Sequence, residues 1–203
     1  MRRLVAIVAL LMLLASANPG RAVDPRYPDW PCSQAKVPEI SLAAVWAGPP
    51  LGVASDTWKD DAAVSALVTK LAARRTPLDE AEKSVKEFLG SASDKALAGK
   101  RLFAGLFDTL NAQRSQLMNG LERVTRKQRE AVDRIRSDSI ALQELQGAAQ
   151  PDQQKIDELS NQLLWETRIL EDRKRVVKFV CEVPTTIDQR LFALARAIQQ
   201  EIE

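Results

Sequence analysis

The strongest constraint in this sequence is a pair of long amphipathic segments separated by the short connector Gly147–Pro151. In the first segment, Phe103 to Leu145, apolar residues recur at spacings of three and four, the period of a helix with one buried stripe. The second segment repeats this pattern from Ile156 to Val180. Two such helices joined by a short turn bury both stripes only when the second folds back on the first. The sequence therefore predicts a long antiparallel helical hairpin.

Shorter amphipathic segments on either side of the hairpin predict a small helical bundle around its base. We expect an all-α fold with helices at about 56–74, 78–89, 94–147, 152–181 and 186–202. Ser91 or Ser93 is expected to cap the long helix, and Thr186 with Gln189 forms a candidate capping box for the last one. On the second arm, Trp165, Ile169 and Val176 lie off the hairpin seam, and this displacement predicts that another helix packs there.

The chain before the helical domain, which we place at 55–203, divides into two parts. Residues 1–22 have the layout of a secretory signal peptide, with Arg2 and Arg3 before the apolar run from Leu4 to Leu14. Cleavage after Ala22 is favoured over cleavage after Ala17, and an uncleaved anchor is the alternative. Residues 23–54 contain several prolines, which predict an extended arm with one short helix.

The cysteine content indicates a disulfide bond in an oxidising compartment. Cys32 and Cys181 are the two cysteines of the chain. An even number of cysteines in an exported protein favours pairing, and the two residues would join the arm to the base of the second hairpin helix. Two separate buried thiols are the alternative. The localisation expected from these features is periplasmic or secreted.

Residue composition argues against most enzymatic chemistry. The chain has no histidine, which removes the commonest general base and metal ligand. It also lacks a glycine-rich phosphate loop and a nucleophile elbow, and its paired carboxylates fall mostly in predicted first turns, where they favour the helix dipole. We therefore expect no catalytic, cofactor or metal site. A formal net charge of +2 also argues against nucleic-acid binding.

Charge is distributed unevenly along the hairpin. Basic residues predominate at mid-length on both arms, whereas residues 137–161 at the tip carry five acidic side chains and one basic. The candidate interaction surface comprises the mid-length cations Arg123, Arg126, Lys127, Arg129, Arg173, Lys174, Arg175 and Lys178. Complementary fields of this kind guide association with a protein partner or with a second copy.

The function expected from these features is that of an exported, non-catalytic helical scaffold or protein-interaction protein of the cell envelope. A holdase-like periplasmic chaperone is the first alternative. The second is a peripheral protein that contacts anionic membrane weakly through the basic mid-hairpin.

Overall fold

The computed structural model describes residues 24–203, in which the regular elements are all helices and no strand occurs. The predicted signal peptide, residues 1–22, lies outside the described residues. The α-helices are α1 Leu42–Val45, α2 Ala54–Thr57, α3 Ala62–Ala72, α4 Leu78–Ser91, α5 Lys95–Gly147, α6 Gln153–Val180 and α7 Val183–Ile202. A short 3-10 helix, Trp58–Asp60, lies between α2 and α3. The prediction of an all-α fold is confirmed.

The predicted hairpin is formed by α5, with 53 residues, and α6, with 28 residues, which pack against each other along their apolar seams. The first part of α5 also belongs to the base, where it contacts α3, α4 and α7. The hydrophobic core lies there, and its largest fully buried side chains include Leu71, Leu89, Leu102, Phe103, Leu106, Leu110, Leu191, Leu194 and Ile198. The hairpin therefore projects from a closed core.

The helix at 56–74 was predicted as one element, and this prediction is wrong. The chain forms α2 and the 3-10 turn, then breaks at Asp61 before α3 begins. The Asp61 carboxylate accepts hydrogen bonds from the backbone N–H groups of Ala63 and Val64, each at 3.1 Å. The aspartate thus caps α3 rather than lying inside a longer helix, because its side chain satisfies two N–H groups that lack helical partners.

Two other predicted helix starts are also corrected. The N-cap of α5 is Asp94, which accepts a hydrogen bond of 2.9 Å from the Leu97 N–H, and neither Ser91 nor Ser93 takes that role. The last helix begins at Val183, with Pro184 in its first turn, where a missing N–H costs nothing. Thr186 is therefore inside α7 and donates to the Glu182 carbonyl at 3.1 Å instead of forming a capping box.

The N-terminal arm is irregular before α1, with two hydrogen-bonded turns between Asp24 and Trp30, and the predicted disulfide joins it to the hairpin base. Cys32 is bonded to Cys181, the C-cap residue of α6, with the two Cα atoms 5.4 Å apart. Further along the arm, Lys36 donates to Glu122 of α5 at 2.6 Å. Trp46 then stacks on Phe103 in the core, with ring centroids 4.2 Å apart. The arm is thus fixed covalently at one point and by packing at another.

Two buried arginines connect α7 to the rest of the base. Arg114 of α5 donates to the Asp188 carboxylate at 2.7 Å and to the Pro38 carbonyl of the arm at 3.2 Å. Arg190 donates to the carbonyls of Leu71 and Thr76, at 2.6 Å and 2.9 Å. Its guanidinium thereby satisfies the Leu71 carbonyl in the last turn of α3 and the Thr76 carbonyl in the loop before α4. Burial lowers the pKa of Arg190. Burial also raises the pKa of Asp188, although the neighbouring Arg114 acts in the opposite direction on that carboxyl.

Candidate functional site

The structure does not bring the eight predicted surface cations together, because half of them pair within the chain. Arg126 donates to Asp29 of the arm at 2.8 Å, and Arg129 contacts the same carboxylate. On α6, Lys174 pairs with Glu171 at 2.8 Å and Arg175 with Asp172 at 2.9 Å. The arginines that contact Asp29 serve mainly to fix the arm, so the predicted surface is smaller than the sequence suggested.

The pKa of Asp29 reflects this arrangement. Hydrogen bonds from Arg126 and then from Arg129 hold the pKa of the Asp29 carboxyl below its ordinary value, because they stabilise its ionised form. The arm on this side of the hairpin is therefore held by charge as well as by the disulfide.

The other four predicted cations, Arg123, Lys127, Arg173 and Lys178, make no ion pair within residues 24–203. The first three line a single groove between α5 and α6, just beyond the base. An unpaired cation on a surface is ordinary by itself. Three of them around one apolar depression give that depression a positive rim.

The groove has a volume of about 650 Å³ and an apolar lining. The apolar lining residues include Leu117, Gly120, Leu121, Val124, Val176 and Val180. Val124 and Val176 are 38% and 60% exposed, so the apolar surface is open to solvent. A Cβ placed on Gly120 would meet only the Arg123 guanidinium, at 3.8 Å, which shows that the space above this glycine is empty of other chain atoms. We call this feature the hairpin groove.

A second apolar feature adjoins the groove on α6. Trp165, Ile169, Val176 and Phe179 lie at helical spacing on one side of α6, and we call them the α6 stripe. Trp165 and Phe179 are 64% and 74% exposed. The prediction that another helix packs on this face is therefore wrong within the described residues, since α7 packs on α4 and α5 instead. Val176 belongs to both features, so the stripe and the groove adjoin each other at this residue.

Comparison with protein-family models, with curated proteins and with solved structures finds no match to this chain. The candidate site therefore rests on its own geometry. Within residues 24–203, no cluster of three or more metal-ligating side chains occurs. No helix of that part of the chain is both long enough and apolar enough to cross a bilayer.

A larger groove of about 790 Å³ lies between α4 and α7, but it has no comparable character. Its charged lining is balanced, with acidic Asp79, Glu82 and Glu201 against basic Lys83, Lys86 and Arg196. The hairpin groove differs in being apolar with an excess of cations. The candidate cations recognised from the sequence lie between Arg123 and Lys178, but the charge pattern revealed neither the groove nor the place of Val124 in its lining. The available signal was Gly120 itself, a glycine inside a long helix.

Proposed function

We propose that this protein is an exported, non-catalytic helical scaffold of the cell envelope, and that the uncovered face of its hairpin binds a protein partner. The observation that supports this proposal is the coincidence of the hairpin groove, its three unpaired cations and the α6 stripe on one surface. Contiguous apolar surface with aromatic anchors and a polar rim is typical of interaction sites. The base, by contrast, buries most of its large apolar residues in one core within the chain.

The disulfide supports the compartment in this proposal. The Cys32–Cys181 bond joins the arm to the hairpin, and bonds of this kind persist in oxidising compartments such as the bacterial periplasm. Cell fractionation, with mass spectrometry of the mature N-terminus, tests this part. We expect the protein in the periplasmic fraction, beginning at Val23. Recovery of an intact chain from the cytoplasm would contradict export.

Site-specific photo-crosslinking in living cells tests the interaction surface. A photoreactive amino acid is placed at Val124 or at Val176, and at Lys86 on α4 of the base as a matched control. We expect one or a few discrete crosslinked products from the first two positions and none from Lys86. Equal crosslinking at all three positions would indicate random encounter and would contradict the proposed surface.

The exposed Trp165 and Phe179 also give a reason to test the holdase alternative. A holdase binds unfolded chains through exposed apolar side chains. In that case the protein suppresses the aggregation of an unrelated unfolded protein, and Trp165→Ala removes this activity. A scaffold leaves the aggregation of the unrelated protein unchanged, which is the result we expect.

A further inference from the structure

The glycines inside α5 differ in their surroundings. A Cβ on Gly99 would approach Ile202 to 2.5 Å, and a Cβ on Gly105 would approach Val68 to 2.6 Å. Both positions therefore need glycine for close packing inside the base. Gly120 has no such neighbour, although glycine is unfavourable in a helix interior. The packing of the described chain does not explain Gly120, and the open space above it belongs to the hairpin groove.

The α6 stripe supplies a projecting group of the kind that such a groove receives. Large aromatic side chains that enter an apolar depression often contribute most of the affinity of an interface. Trp165 is the largest exposed apolar side chain on α6. It lies 11 positions before Val176, one of the groove residues, which corresponds to about 16 Å along the helix axis. One helix therefore carries both the projection and one wall of the receiving groove.

The charge of α6 determines how a second α6 would align with it. Residues 153–166 carry three acidic side chains and one basic, whereas residues 167–180 carry five basic and two acidic. An antiparallel pair places the acidic half of each helix beside the basic half of the other. A parallel pair would place like charges together, which is unfavourable. The charges thus favour an antiparallel arrangement.

We infer that a second copy of this chain covers the α6 stripe, with the two α6 helices antiparallel and Trp165 of each copy in the hairpin groove of the other. Placing Trp165 opposite Val176 sets the two-fold axis between residues 170 and 171. Ile169 then opposes Asp172, whose charge is already compensated by Arg175 at 2.9 Å. Such an interface is isologous, because each copy contributes the same surface. This inference rests on the proposed role as an interaction protein.

Sedimentation equilibrium of the purified protein, from about 1 to 200 µM, tests the association. We expect the measured mass to rise from that of one chain to that of two. Gly120→Leu fills the groove and should weaken association at least tenfold while leaving the thermal midpoint equal or higher, because leucine favours a helix. Trp165→Ala should weaken association by a similar factor. Leu164→Ala is the matched control, since Leu164 is 70% exposed but off the stripe, and it should leave association unchanged.

Cysteine crosslinking tests the orientation. The native chain has no free cysteine within residues 24–203, so introduced thiols pair only with one another. An equimolar mixture of Ile169→Cys and Asp172→Cys proteins should give the mixed disulfide-linked dimer on oxidation. Preferential self-pairing of the Ile169→Cys protein would indicate a parallel arrangement and would overturn the inference.

The two proposals fail in distinguishable ways. The second-copy assignment is overturned if the protein remains monomeric at all concentrations. It is also overturned if the Gly120→Leu variant associates as well as the native protein. If crosslinks to a different protein still form at Val124 and Val176 in cells, the proposed interaction role survives. If they do not, both proposals are wrong.

Discussion

Removal of the disulfide should destabilise the protein about as much as a severe truncation of a core side chain does. The bond joins residues 149 positions apart, so in the unfolded chain it closes a loop that contains α1 to α6 but not α7. The chain-entropy relation gives about 5 kcal/mol of stabilisation at 25 °C for a loop of this length. The variant should still fold, because Trp46 remains stacked on Phe103 and Lys36 remains paired with Glu122.

Urea denaturation of the Cys32→Ala, Cys181→Ala double variant measures this loss. With a denaturant slope of about 2 to 3 kcal/mol per molar, the midpoint should fall by about 2 M. Each single cysteine variant, and the native protein under reducing conditions, should show the same decrease, since each lacks the same bond. A double variant with a midpoint within about 0.3 M of the native value would refute the reasoning, because the crosslink would then not restrict the unfolded chain.

Three further predictions follow from the contacts of the base and the arm. Gly105→Ala should lower the free energy of unfolding by about 1 to 3 kcal/mol through overpacking. Gly120→Ala should raise it by about 0.5 to 1 kcal/mol, because alanine favours a helix more than glycine does. Equal effects of the two substitutions in urea denaturation would contradict this prediction. Arg114→Met should cost about 2 kcal/mol, because Asp188 loses its ion pair, and adding Asp188→Asn should recover part of that loss on the same assay. Carboxyl NMR should show that the pKa of Asp29 lies below its ordinary value. The contribution of Asp29 to arm docking is then complete above about pH 4 and is lost as the pH falls through the lowered pKa. An ordinary pKa for Asp29 would show that its ion pairs with Arg126 and Arg129 are absent in solution.

Several features of the fold could be predicted because they depend on local pattern. The long seams and the connector Gly147–Pro151 required a hairpin, since a helix with one apolar stripe must bury it against a neighbour. The cysteine count and the predicted compartment indicated the Cys32–Cys181 bond. Helix starts were less predictable. Asp61 caps α3 where a continuous helix was predicted, and Asp94 caps α5 where Ser91 or Ser93 was predicted. The exact first residue of a helix depends on the position of the flanking chain, which the local sequence does not determine.

The character of the candidate site depends on contacts between residues that are far apart in sequence. Runs of charge predicted a basic mid-hairpin, but only the fold decided that Asp29 would neutralise Arg126 and Arg129 from a distant part of the chain. Likewise, the spacing of Trp165 and Ile169 predicted a contact with another helix, but no helix of the described chain covers them, and α7 packs in the predicted bundle at the base.

The sequence alone determined the helical class, the hairpin and the residues available for a disulfide, because helical period and cysteine pairing are properties of the chain itself. Only the tertiary structure decided which cations remained unpaired, which glycines lay under close contacts and which apolar residues stayed exposed. The physical reason is that these properties depend on partners far apart in sequence. Gly105 and Gly120 are both glycines inside one helix, and only their neighbours distinguish a packing requirement from an open groove.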